Sequence, residues 1–290
     1  MNKLKRILSL IIALSLCGCS VLKSKPVVVI GSANNDQNTF VAEIMAKLLE
    51  DKGYKVTRKF NLNESELYDD LVNKKIDLYP SYLNVLYQDV LGHKDFSIGK
   101  KKYNLVKEEL SKKNVICLQR FAASKSFGIA IRTELSKEYN IMKISQLKKY
   151  STKFRFASNT HYFNDEFGEK LFNKHYGQLK WKSVKTINEK QEEDILDYNL
   201  SDVMACDVSN GGLEKNGKVL KDDKKIFRDY NNIVPLTRKD VIVNISDLKD
   251  IYSHLAKVMS TRQLREYTAR FSDEHQDYDA VSNRFINEEL

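Results

Sequence analysis

The sequence predicts an α/β protein of two lobes, each a sheet with helices packed on its faces. Three observations predict it. Short β-branched or apolar runs alternate with helix-patterned stretches at the spacing of βαβ units. The alternation starts again at Lys101, and no flexible or low-complexity linker separates the halves.

In chain order, "PVVVIGS" is a β-branched run and "ANNDQN" supplies turn and capping residues. "TFVAEIMAKLLEDKGY" then places Phe40, Val41, Ile44, Leu48 and Leu49 on one helical face before Gly53 ends it. "KVTRKFNL" reads as a second strand, "NESELYDDLVNKK" as a short helix with Asn63 as cap, and "IDLYP" as a third strand. Pro80 has no backbone donor and is expected to stop the ladder there. Tyr82 and Tyr87 would then lie past the carboxyl end of that strand, where open α/β sheets bind ligands. In the second half, "KKYNLVKEELSKKN" is helical, "VICLQRF" and "FGIAIR" are strands, and "KISQLKKYS" is a cap and helix. "KFRFAS", a long helix over 166–176, "WKSVKTI", a helix over 190–198, "SDVMACD" and "IVPLTR" follow, and 246–290 is mostly helical. Without a linker, the chain is expected to cross between lobes by strands, with "FGIAIR" and "IVPLTR" as the natural crossings.

Residues 1–18 are expected to be a secretory signal: Lys3, Lys5 and Arg6 precede an apolar stretch, Ile7 to Leu16, too short to span a bilayer. "LCGC" resembles a bacterial lipobox, which makes Cys19 the expected lipidated N-terminus, at the extracytoplasmic face of the cell membrane. The formal charge of +9 includes the three leader cations. Lys is interspersed with Asp and Glu, so no nucleic-acid arm is indicated. Cys117 and Cys206 have no C-x-x-C spacing and read first as two small buried residues, second as one disulfide. The five histidines are scattered, and no metal site or cofactor is expected. The chain has no G-x-S-x-G elbow, no H-E-x-x-H and no P-loop lysine, so an enzyme is not expected.

Six ordered stretches together resemble the extracytoplasmic substrate-binding proteins of ABC importers for glycine betaine, choline and related quaternary amines. They are "VVVIGSANNDQN", "KKIDLYPSYLNV", "SFGIAIR", "KISQLKKY", "SDVMACDVSNGGL" and "IFRDYNNIVPLTR", and the Y-P-x-Y block in the second is the most specific. The resemblance implies a two-lobed periplasmic-binding-protein-like (type II) fold, each lobe a mixed sheet flanked by helices, with a two-strand hinge. It implies lobe 1 over 19–127 plus 234–290 and lobe 2 over 128–233. It also implies a monomer that closes on one small molecule and hands it to a membrane permease and its ATPase.

A trimethylammonium head has no N–H donor, so aromatic faces can bury it without leaving a hydrogen bond unmade. Carried over by position, the resemblance places the aromatic cage at Tyr82, Phe127, Asp207 and Tyr230. The family's two carboxylate-gripping cations fall on Ala33 and on Asn164 or Asp165, so neither is a cation here. A zwitterion's carboxylate would then meet the anion Asp207 with no partner. A plain cation such as choline, or a polyvalent amine, is therefore favoured over glycine betaine. Other readings stay open. Phe127 is equally natural as core, Asp207 is placed to cap a helix starting near Ser209, and Tyr79, Tyr87, Tyr162 and Phe163 are further aromatics. Asn34, Asp36 and Asn38 sit where a ligand would meet a helix N-terminus, although capping alone explains them. The competing function is a surface lipoprotein that keeps the fold as a receptor or adhesin after losing transport.

Overall fold

A computed structural model describes residues 25–94, 97, 99–188, 191–214, 216–227, 231–273 and 277–290. The expected signal, Cys19 and Tyr230 lie outside the described residues. No helix among the described residues is long and apolar enough to cross a membrane.

The first sheet has strand order β2-β1-β3-β10-β4. Its strands are β1 (Val27–Ala33), β2 (Lys55–Leu62), β3 (Leu78–Tyr82), β4 (Val115–Cys117) and β10 (Ile233–Arg238). The second has order β7-β6-β8-β5-β9. It contains β5 (Phe127–Arg132), β6 (Arg155–Asn159), β7 (Ser183–Ile187), β8 (Val203–Asp207) and β9 (Gly217–Val219). Both follow one plan, in which three strands run parallel and a fourth lies antiparallel beside them. That fourth strand is β10 against β3 in the first sheet and β5 against β8 in the second. The sheets are therefore mixed, as the resemblance implied, and not purely parallel as βα alternation alone suggests.

Alternating side chains separate the cores as the two-residue period requires. On β1, Val28 and Ile30 face one cluster while Val29 packs on another. On β8, Val203 and Ala205 join one cluster and Met204 and Cys206 the other. The first sheet is covered by helices α1 (Asp36–Asp51), α2 (Glu64–Val72) and α3 (Gly99–Lys112). After β10 come α8 (Lys239–Asn244), α9 (Leu248–Val258), α10 (Thr261–Asp273) and α11 (Tyr278–Glu289), of which α10 and α11 pack on α1. The second lobe carries α4 (Thr133–Glu138), α5 (Thr160–Asn164), α6 (Glu169–Tyr176) and α7 (Glu192–Asp197). Asn35 caps α1, its side chain accepting from the Asn38 N–H. Asn63 precedes α2 but makes no side-chain cap bond.

Three expectations are corrected. Pro80 does not end its strand: β3 runs on to Tyr82, and Pro80 sits opposite Pro235 of β10 in an antiparallel ladder. The helix expected over 166–176 starts only at Glu169, as α6, and a separate short helix, α5, ends before it at Asn164. Gly168 turns between them so closely that a Cβ there would lie 1.8 Å from the Tyr162 carbonyl oxygen. The crossing strands are not β5 and β10, because each of these is enclosed between two partners in its own sheet. The chain crosses just before each of them, where Ser124 pairs antiparallel with Asn232. There the Lys125 N–H donates to Asn231 O (3.0 Å) and Ile233 N–H to Ala123 O (3.2 Å). Cys117 and Cys206 are buried, unbonded to each other, and lie in different lobes.

Candidate functional site

Between the lobes lies a cleft of about 720 Å³. The first lobe supplies the start of α1 (Asn35, Asp36, Gln37), Glu64, and the end of β3 with the π-helical turn Val85–Val90 after it. The second supplies Phe127 at the start of β5, the carboxyl ends of β6 and β8, and the turn beyond Asp207. In both sheets the contributing parallel strands present their carboxyl ends, as α/β sheets do at ligand clefts.

The structure brings Tyr82, Phe127, Asp207 and Asp165 together in this cleft. Phe127 and Asp207 are direct cross-strand partners on β5 and β8, so register alone sets an aromatic ring beside a carboxylate. Phe127 is backed by Tyr162 in an edge-on contact, ring centroids 5.4 Å apart, and by His161 at 5.3 Å. Tyr82 donates its hydroxyl to Gln37 Oε1. Two expected positions do not line the cleft, which is a correction. Ala33 is packed in the first lobe's core, and Asn38 is wholly buried within the first turn of α1. Ala33 ends β1 on its core-facing side and Asn38 points into the core from α1, while Asn35, Asp36 and Gln37 face the cleft instead. Tyr79, Tyr87 and Tyr162 are core residues at 1–2% exposure.

Asp207 accepts from the Ser209 N–H (2.9 Å) and Oγ (2.6 Å), so the turn it caps and the cleft share one carboxylate. Its side chain is 20% exposed. Burial raises its pKa against the opposing pull of Lys125 and of the Ser209 and Ser126 hydrogen bonds. Burial also raises Glu64, with Lys125 pulling it down and Asp89 pushing it up. Glu192, 5% exposed, accepts from Asn159 Nδ2 at 2.5 Å, while Asn159 Oδ1 caps α5. Asp165 accepts from the Phe167 N–H and faces His161 Nε2 at 3.4 Å.

Sequence reasoning missed Glu64, Glu192, Gln37 and, above all, Lys125. Lys125 is the one lysine among the described lining residues, with its Nζ 3.9 Å from Asp207 Oδ2. It stands two residues before Phe127, but Ser126 between them lines the cleft as well, so no strand alternation in the sequence singled it out. Arg155 stays out, held by Asp202 at 2.7 Å. Lys102 of α3 lies behind the wall and donates to Asn84 Oδ1. Burial pushes its pKa down to about 8 against the pull of Asp165. Among the described residues, no group of three or more His, Cys, Asp or Glu is placed to hold a metal ion.

Two α/β lobes joined by paired crossing segments around an acid-rich cleft are the architecture of a solute-binding protein. Residues 26–288 match the family model described as the substrate binding domain of ABC-type glycine betaine transport systems, and the chain belongs to that family. The family is a substrate-binding component of transporters and not an enzyme. The carnitine transport binding protein OpuCC of Listeria monocytogenes serotype 1/2a is 22% identical over 290 residues, covering 97% of this chain and 94% of its own length. A solved structure described as a glycine betaine/carnitine/choline ABC transporter superposes with a TM-score of 0.77 at 20% identity, over 90% of this chain and 98% of its own. Apo YehZ from Escherichia coli does so with a TM-score of 0.77 at 16% identity, over 90% and 98%. These superpositions establish the two-lobed type II fold.

Proposed function

We propose that this chain is the extracytoplasmic solute-binding lipoprotein of an ABC importer that captures a quaternary ammonium or related cationic small molecule. Choline-like cations are favoured over glycine betaine. Lipid on Cys19 would hold it at the membrane, and the permease and its ATPase would receive the ligand. The observation that carries the reading is the chemistry of the cleft wall. Asp36, Glu64, Asp165, Glu192 and Asp207 face it, with Lys125 as the one lysine and no arginine among its described residues. Beside Asp207 stand the rings of Tyr82 and Phe127, with Tyr230 as the third proposed face.

The magnitudes agree with such a role. Each cation–π contact contributes about 0.5–2 kcal/mol once water is excluded. A micromolar complex needs about 8 kcal/mol, which apolar burial and a desolvated carboxylate complete. Glycine betaine adds a carboxylate that would have to sit among these acids. Lys125 is its available partner, but it stands beside Asp207, at the cationic end of the proposed site.

Titration calorimetry of the mature chain against choline, glycine betaine, carnitine and spermidine tests the reading. Saturable, micromolar binding of a cation, tighter than that of glycine betaine, is expected. Absence of heat from every one of them would overturn the proposal and leave the fold with a role other than transport.

A further inference from the structure

We infer that the turn Val208–Gly211 of the second lobe is a dock gripped by the first lobe, and that Gln37 is its clasp, a positioning residue that sets Tyr82 against Asp207. The inference rests on contacts made wholly between protein groups, so it stands apart from the identity of the ligand.

Gln37 lies in the first turn of α1, and its amide is used at both ends. Oε1 accepts the Tyr82 hydroxyl, while Nε2 donates to Ser209 O at 2.9 Å and to Ser209 Oγ at 3.0 Å. Ser209 Oγ then donates to Asp207 Oδ1 at 2.6 Å. The chain Tyr82, Gln37, Ser209, Asp207 thus spans the cleft and links a ring of one lobe to the carboxylate of the other. Its direction is fixed, because a carbonyl can only accept and the amide nitrogen can only donate. Beside it, Arg265 Nη1 of α10 donates to Val208 O at 2.7 Å. Three residues beyond Val208, Gly211 meets the backbone of α10 so closely that a Cβ would lie 2.4 Å from Ala269 N and 2.7 Å from its Cα. A short turn is therefore held at three points by two elements of the other lobe, one of them a backbone approach that glycine alone permits.

Contacts of this kind bias the lobes toward the arrangement in which the cleft walls face each other. When the competent arrangement is only fractionally populated, apparent affinity falls by that fraction for every ligand alike. Loss of the clasp should therefore act as a common factor, whereas loss of a direct ligand contact would act selectively.

The test is single-molecule energy transfer between labels attached through Val72→Cys and Tyr198→Cys, positions 44% and 70% exposed on opposite lobes. The protein is the mature chain with Cys19→Ser, and no ligand is added. Gln37→Leu keeps the side chain's bulk without donor or acceptor, and Gly211→Ala inserts a methyl group against the α10 backbone. Each should lower the high-transfer population while far-ultraviolet circular dichroism stays unchanged. Where a cation binds, Gln37→Leu should weaken every ligand by the same factor, about three- to tenfold. Unchanged transfer in Gln37→Leu overturns the inference even if Gly211→Ala fails to fold, and so does an affinity loss confined to one ligand. Because the transfer measurement needs no ligand, it remains readable if the proposed function fails.

Discussion

Asp207 concentrates the cleft's electrostatics in one side chain. Its carboxylate is half enclosed by its own turn, paired across the sheet with Phe127, and loosely faced by Lys125. Burial raises its pKa from the ordinary aspartate value. A cation is drawn only to the ionised form, so affinity is complete above that raised pKa and is lost as pH falls through it. The loss should begin at a higher pH than for an exposed aspartate, and calorimetry between about pH 4 and 7 checks it. Asp207→Asn should remove that pH dependence and weaken a plain cation by at least about tenfold, as loss of a desolvated charge partner does, while sparing a zwitterion. Lys125→Gln should act in the opposite direction and tighten a monovalent cation several-fold by removing a competing ammonium. Weakening of choline by Lys125→Gln would show that this ammonium supports the site. The sequence offered Tyr82, Phe127 and Asp207 with Tyr230 as one set, because the ordered resemblance covered them, and Asp165 as one of two candidates for a separate position. It was silent on Glu64 and Glu192, acids like many others until folding set them at the cleft.

At the scale of elements, strands were legible to within a residue or two where β-branched runs had clear ends, as in "KVTRKFNL" for β2. Two prolines misled the reading of β3. Pro80 removes a donor, but facing Pro235 it leaves the rest of the ladder to continue to Tyr82, which carries that ring to the cleft mouth. The helix expected across 166–176 ignored Gly168, whose missing side chain allows α6 to begin against the Tyr162 carbonyl. Gly168→Ala should cost about 2 kcal/mol or more, because the clash is with backbone and no rotamer relieves it. A denaturant midpoint equal to the parent's would show that the turn can yield. Because α5 carries His161 and leads into Asp165, the same substitution should also weaken ligand binding.

At the scale of the molecule, two sheets of one plan exchange their antiparallel strands through paired crossing segments, and the site exists only where the lobes face each other. Ligand binding should therefore stabilise both lobes together. A ligand at a hundred times its dissociation constant adds about 2.7 kcal/mol, which in a chain of this size raises Tm by roughly 5–10 °C. Scanning fluorimetry with choline should show that rise as one transition, and a rise in only one of two transitions would mean that the cleft does not couple the lobes. Periodicity and βα alternation, local properties of the chain, determined by themselves that there are two α/β lobes and where most elements lie. The antiparallel placement of β5 and β10, the burial of Ala33 and Asn38, the entry of Lys125 and the reach of Gln37 to Ser209 were decided only by tertiary structure. Each depends on which distant segments share a ladder or face one another, and neither hydrophobic pattern nor turn chemistry encodes a contact across 172 residues of chain.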